Sequence, residues 1–179
     1  MTVRPTTRRR GRKALLITVA AVGLLGAGSS PVQAASTPGY WRTYTKTANW
    51  ECAPAITLTD RWGRGSLPGM YVQSCALMDR FYGTAVLVVT NKTGGTVTLQ
   101  GAFTHLDKYP TGDAYGNSFG ECYKSALGNN QTRACYGPKI QVGCDTVYAQ
   151  SQVEVWSAAG RHYEPVPFNS YYGTGSFCP

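Results

Sequence analysis

The stretch that decides the fold is TAVLVVTNKTGGTVTLQGAFT, residues 84–104. It contains two runs rich in β-branched residues, 84–90 and 96–104, each with a side-chain period of two. Between them lies NKTGG, residues 91–95, which has the composition of a turn. Two such runs around a short loop containing glycine predict a β-hairpin.

The two runs differ in how their side chains divide between the faces of a strand. The first run is apolar on both faces, so we expect it to lie centrally in its sheet or beneath a loop. In the second run Val97, Leu99, Gly101 and Phe103 alternate with small or polar residues. This alternation predicts that these four positions face the core and that the opposite face is solvated.

Further strand signals extend the β pattern over most of the chain. In the segment 146–156, Val and Ala alternate with Tyr148, Gln150, Gln152 and Glu154. Segment 121–127 is the one that suits a turn or two of helix. Strands are predicted at 40–47, 70–78, 131–135, 139–142 and 146–156. Short strands separated by Gly and Pro predict an all-β fold, a single antiparallel β-sandwich of immunoglobulin-like type stabilised by disulfides.

Residues 1–34 have the layout of a secretory signal peptide. A basic stretch at 8–13 precedes an apolar run at 14–28, and Val32-Gln33-Ala34 supplies a small-residue cleavage pattern. The apolar run is shorter than the roughly 20 residues that span a bilayer. We therefore predict a secreted domain at 35–179, with no membrane anchor in the mature form.

The basic charge of the chain belongs mainly to that leader. The sequence has 17 Lys and Arg against 9 Asp and Glu, a formal net charge of +8. Six of the basic residues lie within 1–34, and the remainder of the chain is close to neutral. The charge balance therefore gives no support to nucleic-acid binding.

All six cysteines lie in the predicted mature domain. An even number in an exported protein predicts up to three disulfides, and their spacings do not match the close Cys pairs of zinc sites. Fifteen connectivities are open. The pairing that closes the shortest loops is Cys52–Cys75, Cys122–Cys135 and Cys144–Cys178.

The sequence contains a match to a hydrolase motif. GNSFG at 116–120 matches GxSxG, and Ser118, Asp145 and His162 follow the chain order of an α/β-hydrolase triad. That motif requires a strand before it and a helix after it within a parallel sheet, and neither is predicted. We therefore do not predict an enzyme, although a small secreted hydrolase stays an alternative.

Residues suited to metal binding are sparse. His105 and His162 are predicted to be solvated loop histidines, and no HExxH motif accompanies them. Side-chain oxygens for calcium could come from Asp107, Asp113, Asn117 and Glu121, whose spacing does not match an EF-hand. No metal and no cofactor is predicted.

Two features suggest a binding function. The first is aromatic residues in polar or Gly-rich segments, where exposed rings could stack on a sugar or a protein partner. The second is the long stretch between 104 and 121, which has no periodicity and ends near Cys122. The aromatic candidates are Tyr40, Trp41, Tyr109, Tyr115, Tyr171 and Tyr172.

Three short sequence motifs are similar to those of a known group of proteins. They are YVQSC at 71–75, VVTN at 88–91 and QTRACYG at 131–137. Behind such a leader, the chain resembles small secreted proteins of high-GC actinobacteria such as Streptomyces, which have no assigned activity. The resemblance implies export and a β-fold and identifies no catalytic residue.

Together these features predict a secreted, disulfide-stabilised protein that acts by binding. An extracellular glycan such as cell wall or another polysaccharide is the first expected partner. The alternative is an extracellular protease inhibitor or other protein-binding module that presents the loop 104–121.

Overall fold

The computed structural model describes residues 37–39, 41–47, 49–59, 65–157, 159–160, 162–163 and 168–172. At 37–39, 162–163 and 168–172 only the backbone is described. The predicted signal peptide, Tyr40 and Cys178 lie outside the described residues. None of the described residues lies in a helix.

The described chain is built from β-strands. The first seven are β1 (Thr37–Gly39), β2 (Arg42–Thr43), β3 (Trp50–Cys52), β4 (Ile56–Thr59), β5 (Ser66–Asp79), β6 (Tyr82–Asn91) and β7 (Val97–Lys108). They are followed by β8 (Gly120–Cys122), β9 (Ser125–Leu127), β10 (Thr132–Tyr136), β11 (Ile140–Gln141), β12 (Val147–Trp156), β13 (His162–Tyr163) and β14 (Phe168–Tyr172).

These strands form two sheets. Sheet 1 has the order β1-β8-β7-β12-β13, with β9 on β7 and β14 on β12. Sheet 2 has the order β2-β10-β6-β5-β3, with β11 on β6 and β4 on β5. The pairing of β1 with β8 is parallel, and the other pairings between described strands are antiparallel. The predicted all-β fold with antiparallel sheets is confirmed.

The core lies between the two sheets, which pack face to face as in a sandwich. Its larger cluster combines Leu87 of β6 with Leu99 of β7 and Val153 of β12. A second cluster joins Met78 of β5 to Leu106 of β7. All of these side chains are almost fully buried, and each contributes about 1.5–3 kcal/mol of hydrophobic free energy.

The predicted hairpin is wrong. The first run of the deciding stretch lies in β6 of sheet 2, whereas the second lies in β7 of sheet 1. Both edges of β6 are taken by other strands, β5 on one side and β10 with β11 on the other. The chain therefore crosses from one sheet to the other at 92–96, and the two strands stack across the core instead of pairing.

β6 is nevertheless as deeply placed as its two apolar faces predict. Its outer face is covered by an aromatic group in which Trp50 makes edge-to-face contacts with Tyr44 and Tyr136, at centroid distances of 5.4 and 5.7 Å. This group packs with the buried Val86 and Val88. The expectation that the first run is central in its sheet is confirmed.

A β-bulge divides β7 into two parts. Leu99 and Gly101 lie opposite neighbouring residues of β12, so the intervening Gln100 is an extra residue. One extra residue exchanges the faces of all the side chains that follow. Ala102 is therefore buried, and Phe103, predicted to face the core, is 46% exposed on the outer face of sheet 1.

Two predicted disulfides are confirmed. Cys52 and Cys75 join directly opposite residues of β3 and β5 within sheet 2. Cys122 and Cys135 join β8 to β10 and so link the two sheets through the core. Cys144 is also disulfide-bonded, and its predicted partner Cys178 lies outside the described residues, so this third pairing stays a prediction.

The remaining strand predictions hold in position but not always in extent. The strand predicted at 70–78 is part of the longer β5, and within the described residues 41–47 the one predicted at 40–47 covers Arg42–Thr43. Residues 121–127, predicted as a turn or two of helix, form parts of β8 and β9 instead. The inter-sheet disulfide holds short strands and not the central strands of an immunoglobulin domain, so the immunoglobulin-like subtype stays a prediction.

Candidate site on the outer face of sheet 1

The outer face of sheet 1 carries a pattern of aromatic and amide side chains across β7 and β12. Phe103 lies opposite Gln152, and His105 lies opposite Gln150. The regular alternation of β12 places both glutamines on the half-buried face, opposite to its core valines. The bulge in β7 brings Phe103 and His105 to the same face.

These side chains line a cavity of about 300 Å³. Phe119, which immediately precedes β8, closes one side of it and stacks on the His105 ring at a centroid distance of 4.7 Å and an interplanar angle of 20°. Ser151 contributes to the lining, but its hydroxyl belongs to the core, where it lies 2.9 Å from the hydroxyl of Ser74. The accessible polar groups of the cavity therefore come mainly from imidazole and amide side chains.

A second cavity of about 280 Å³ adjoins the first. The two share Phe103 and Gln152, so they form neighbouring parts of one groove. Gly101 leaves the floor of the second part free of a side chain, and Glu121 and Glu154 line it. From His105 to Gly101 the groove follows β7 for about 13 Å, at about 3.3 Å per residue.

A buried carboxylate stands beside His105. Asp107 is 1% exposed, and its Oδ1 lies 3.2 Å from His105 Nε2. Burial lowers the pKa of His105, and the Asp107 charge opposes that shift. Burial raises the pKa of Asp107, while His105 and the nearby Gln150 amide act to lower it. The prediction of a solvated loop histidine is therefore wrong for His105, which lies in a strand with its side chain 21% exposed.

The aromatic residues predicted to bind are not brought together among the described residues. Trp41 packs against the edge of the core and donates its indole hydrogen to the Tyr123 carbonyl at 2.8 Å. Tyr115 packs against the second core cluster and donates its hydroxyl hydrogen to Asp145 Oδ2 at 2.7 Å. Burial, with a further effect of Asp145, raises the pKa of Tyr115. Tyr109 is exposed.

The other predicted aromatics lie partly or wholly outside the described residues. Tyr171 and Tyr172 belong to β14, where the backbone register sets Tyr171 opposite Tyr148 of β12. Their side chains, like the whole of Tyr40, lie outside what the structure describes.

The hydrolase motif has a structural explanation. Ser118 is fully buried, and its hydroxyl donates to the Tyr115 carbonyl at 2.7 Å while accepting from the Leu106 amide at 3.0 Å. Asp145, the acid of the triad suggested by the sequence motif, accepts a hydrogen bond from the Tyr115 hydroxyl instead. Ser118 fixes the segment after β7 to that strand.

That segment is shorter than predicted. The sequence predicts a loop over 104–121, but β7 continues to Lys108 and β8 begins at Gly120, so the connection is 109–119. It folds back on β7 through a bridge between Asp107 and Ala114. This return of the chain is what buries Asp107 and brings Phe119 onto His105.

The calcium candidates do not form a metal site in the described part of the chain. No group of three or more His, Cys, Asp or Glu side chains there could hold a metal ion. Asp107, expected to be solvated, is instead buried in the sheet. The same described residues include no helix that is long and apolar enough to cross a membrane.

Sequence reasoning missed Phe103, Phe119, Gln150 and Gln152 as candidate binding residues. A signal was present for the two glutamines, because the alternation in 146–156 places them on a polar face. For Phe103 the signal points to the core, since the bulge has no mark in the sequence apart from Gly101.

Comparisons with known proteins do not identify a family for this chain. No protein-family model matches the chain, and no curated protein matches it. Among solved structures it resembles one described as "X-ray structure of Northeast Structural Genomics Consortium target SoR45", with a TM-score of 0.37 and 10% identity over 69% of this chain and 87% of that one. A similarity at this TM-score and identity indicates neither a family nor a function for this chain. The resemblance to secreted actinobacterial proteins stays a prediction.

Proposed function

We propose that this protein is a secreted binding protein for an extracellular polysaccharide, and that the groove on sheet 1 is its binding site. The observation that carries the proposal is the exposed Phe103 ring at the junction of two adjoining cavities, with amide side chains beside it. A sugar ring has an apolar face for stacking and hydroxyls for hydrogen bonding. An aromatic surface with a few polar groups around it suits both.

Two other features support an extracellular binding role. The intramolecular disulfides are typical of proteins that work in an oxidising compartment. The two adjoining cavities extend the groove along the strand direction, which suits a chain of sugars better than a small compact ligand. Its length along β7 exceeds that of one sugar ring.

The test is retention of the oxidised protein on insoluble cell wall, chitin and cellulose, compared for the native chain, Phe103→Ala and Phe81→Ala. Phe81 is a matched control, because it is 43% exposed at the β5–β6 turn of sheet 2, away from the groove. Loss of one stacking contact worth about 1.4 kcal/mol lowers retention about tenfold. We expect that loss for Phe103→Ala alone.

Equal retention of both variants would place the binding elsewhere on the protein. Absence of retention on all three matrices would overturn the glycan proposal in favour of a protein-binding module.

One observation favours that second function. The connection 109–119 is held by Ser118 and by the Tyr115–Asp145 hydrogen bond, and a loop fixed in advance loses less entropy on binding. Inhibition of a secreted serine protease such as subtilisin, with the connection 109–119 remaining uncleaved, tests it.

A further inference from the structure

Asp107 is an unusual group to find beneath a binding surface. Both of its carboxylate oxygens are buried, and neither has a hydrogen-bond partner of good geometry among the residues that the structure describes. A buried polar group without a hydrogen bond destabilises the fold, and a charged one does so more strongly. Beside it lies His105, whose Nε2 is 3.2 Å from Oδ1.

The contact between Asp107 and His105 decides which ring nitrogen is left for a ligand. Nε2 lies 3.2 Å from the carboxylate, and the ring itself lines the cavity while stacking on Phe119. Nδ1 is therefore the nitrogen that a ligand could use. When the carboxylate is ionised and the imidazole is neutral, the nearby negative charge favours the tautomer that carries its proton on Nε2. Nδ1 then carries none and can accept a hydrogen bond.

Uptake of one proton by the pair reverses that property. If the proton enters the imidazole, the ring becomes a cation with hydrogens on both nitrogens. If the shared proton moves to Asp107, the carboxylic acid donates to Nε2 and the ring hydrogen lies on Nδ1. Nδ1 is a donor in both arrangements, so the conclusion does not depend on where the shared proton lies.

We propose that the His105–Asp107 pair makes this groove a proton-linked site, which accepts a hydrogen bond from a sugar hydroxyl at neutral pH and loses that acceptor when the pair takes up a proton. This inference rests on the proposed function, because the hydroxyl is that of the bound polysaccharide. His105 contacts the ligand, and Asp107 is a positioning residue that acts through His105.

The surroundings of the pair set the direction of the pH effect. Burial keeps the pKa of His105 below its ordinary value, so the imidazole is neutral at neutral pH. Asp107 on the same strand opposes this, and Asp113, in the connection after β7, raises the pKa of Asp107. Gln150 on β12 and Phe119 before β8 are uncharged. Release of the glycan is expected on the acidic side of the usual histidine range, because a hydroxyl held as a donor to Nδ1 must turn before it can accept from the protonated ring.

The test measures binding isotherms on cell wall, chitin and cellulose at about pH 7.5 and about pH 5, on either side of the usual histidine pKa. Each variant is normalised to its own value at the higher pH. For the native chain we expect the association constant to fall by up to about tenfold per pH unit below the pKa of the pair, the dependence of a single proton. Phe81→Ala serves as the control and should show the same fall.

Two variants separate proton linkage from a structural effect. His105→Gln keeps a polar side chain that does not titrate, so its binding should change little between the two pH values. Asp107→Asn removes the charge that raises the pKa of His105, so its fall should move to lower pH. A purely structural role would weaken binding by the same factor at both pH values. Near-ultraviolet circular dichroism confirms the fold of each variant.

The outcomes distinguish the two proposals. Equal retention of the native chain at both pH values, or a fall in His105→Gln as large as in the native chain, would overturn the proton linkage and leave glycan binding in place. No retention on any matrix would overturn both. A nitrogen-15 NMR spectrum of the His105 ring without ligand gives an independent test, since a hydrogen on Nδ1 at neutral pH would also overturn the linkage.

Discussion

Asn91 ends β6 and holds the crossing between the two sheets. Its side chain is fully buried, and its amide group donates to the carbonyls of Gly95 and Leu127, each at 2.8 Å. Its Oδ1 accepts from the backbone and the hydroxyl of Thr93. The Asn91-Lys92-Thr93 spelling also matches an N-glycosylation sequence, but a fully buried amide is unavailable to a glycosylating enzyme without unfolding.

We expect Asn91→Ala to lower the free energy of unfolding by about 3 kcal/mol. The substitution leaves buried carbonyls without donors and removes the acceptor that organises the turn. Chemical denaturation measures the loss. Asn117→Ala at an exposed position is the control and should change stability by no more than about 0.5 kcal/mol. A similar small change for both variants would show that the crossing forms without the Asn91 side chain.

For single residues, the sequence predicts local conformation better than it predicts which distant residues surround a side chain. The composition of NKTGG at 91–95 correctly predicts a turn, but Leu127, one of the acceptors of Asn91, lies 36 residues away. For His105, the absence of an HExxH motif and of nearby ligands in the sequence predicts a solvated loop side chain. It is largely buried because Phe119, far along the chain, returns to stack on it.

Among the elements, β8 shows how tightly the sheets approach one another. A Cβ added at Gly120 would lie 2.4 Å from Gly137 Cα, a backbone atom that cannot move aside. Gly120 lies in β8 of sheet 1, while Gly137 directly follows β10 of sheet 2. Close approach of two backbones is a main reason for glycine in a strand.

We expect Gly120→Ala to destabilise the protein by about 3 kcal/mol or more, because the sheets must separate locally to admit the methyl group. Gly101→Ala is the matched control in sheet 1, where the nearest atom to an added Cβ is Cys122 O at an ordinary 3.8 Å. Thermal unfolding compares the two. Equal melting temperatures would show that the contact between Gly120 and Gly137 relaxes at little cost.

The strands themselves are predicted well where their alternation is regular. β12 follows its predicted pattern over its whole length, with Val153 inside and Gln152 outside. β7 does not, because Gln100 is inserted against β12 and reverses the faces from Ala102 onward. The pairing between strands creates a bulge, and a period of two in a single strand does not reveal it. The candidate site exists because of that reversal.

On the scale of the whole molecule, the pattern of residues 84–104 predicts two strands but not their partners. The alternation of side chains along a strand indicates which of its faces are buried. Whether two consecutive strands pair in one sheet or stack across the core depends on which other strands occupy their edges. β6 has both edges filled by β5 and β10, which come from opposite sides of it in the chain. Its apolar character on both faces is the one sign of this central position, and it predicts that position correctly.

The two described disulfides stabilise different parts of this assembly. The Cys52–Cys75 bond closes a sequence separation of 23 within sheet 2, whereas Cys122–Cys135 closes a separation of 13 between the sheets. Loop-closure entropy alone gives about 3 kcal/mol for each and slightly favours the longer loop. Cys122 and Cys135 are both fully buried in the main core cluster, so their replacement also removes packing atoms from both sheets.

We therefore expect the order of effects to be the reverse of the order that loop length predicts. The double variant Cys122→Ala with Cys135→Ala should lose about 4–5 kcal/mol, from loop entropy together with a core void. The double variant Cys52→Ala with Cys75→Ala should lose about 3 kcal/mol, because the partly exposed Cys52 leaves a smaller void. Guanidinium unfolding of both variants measures the difference. A larger loss for the pair in sheet 2 would mean that restriction of the unfolded chain, and not packing of the buried sulfur atoms in the core, is the main contribution of these bonds.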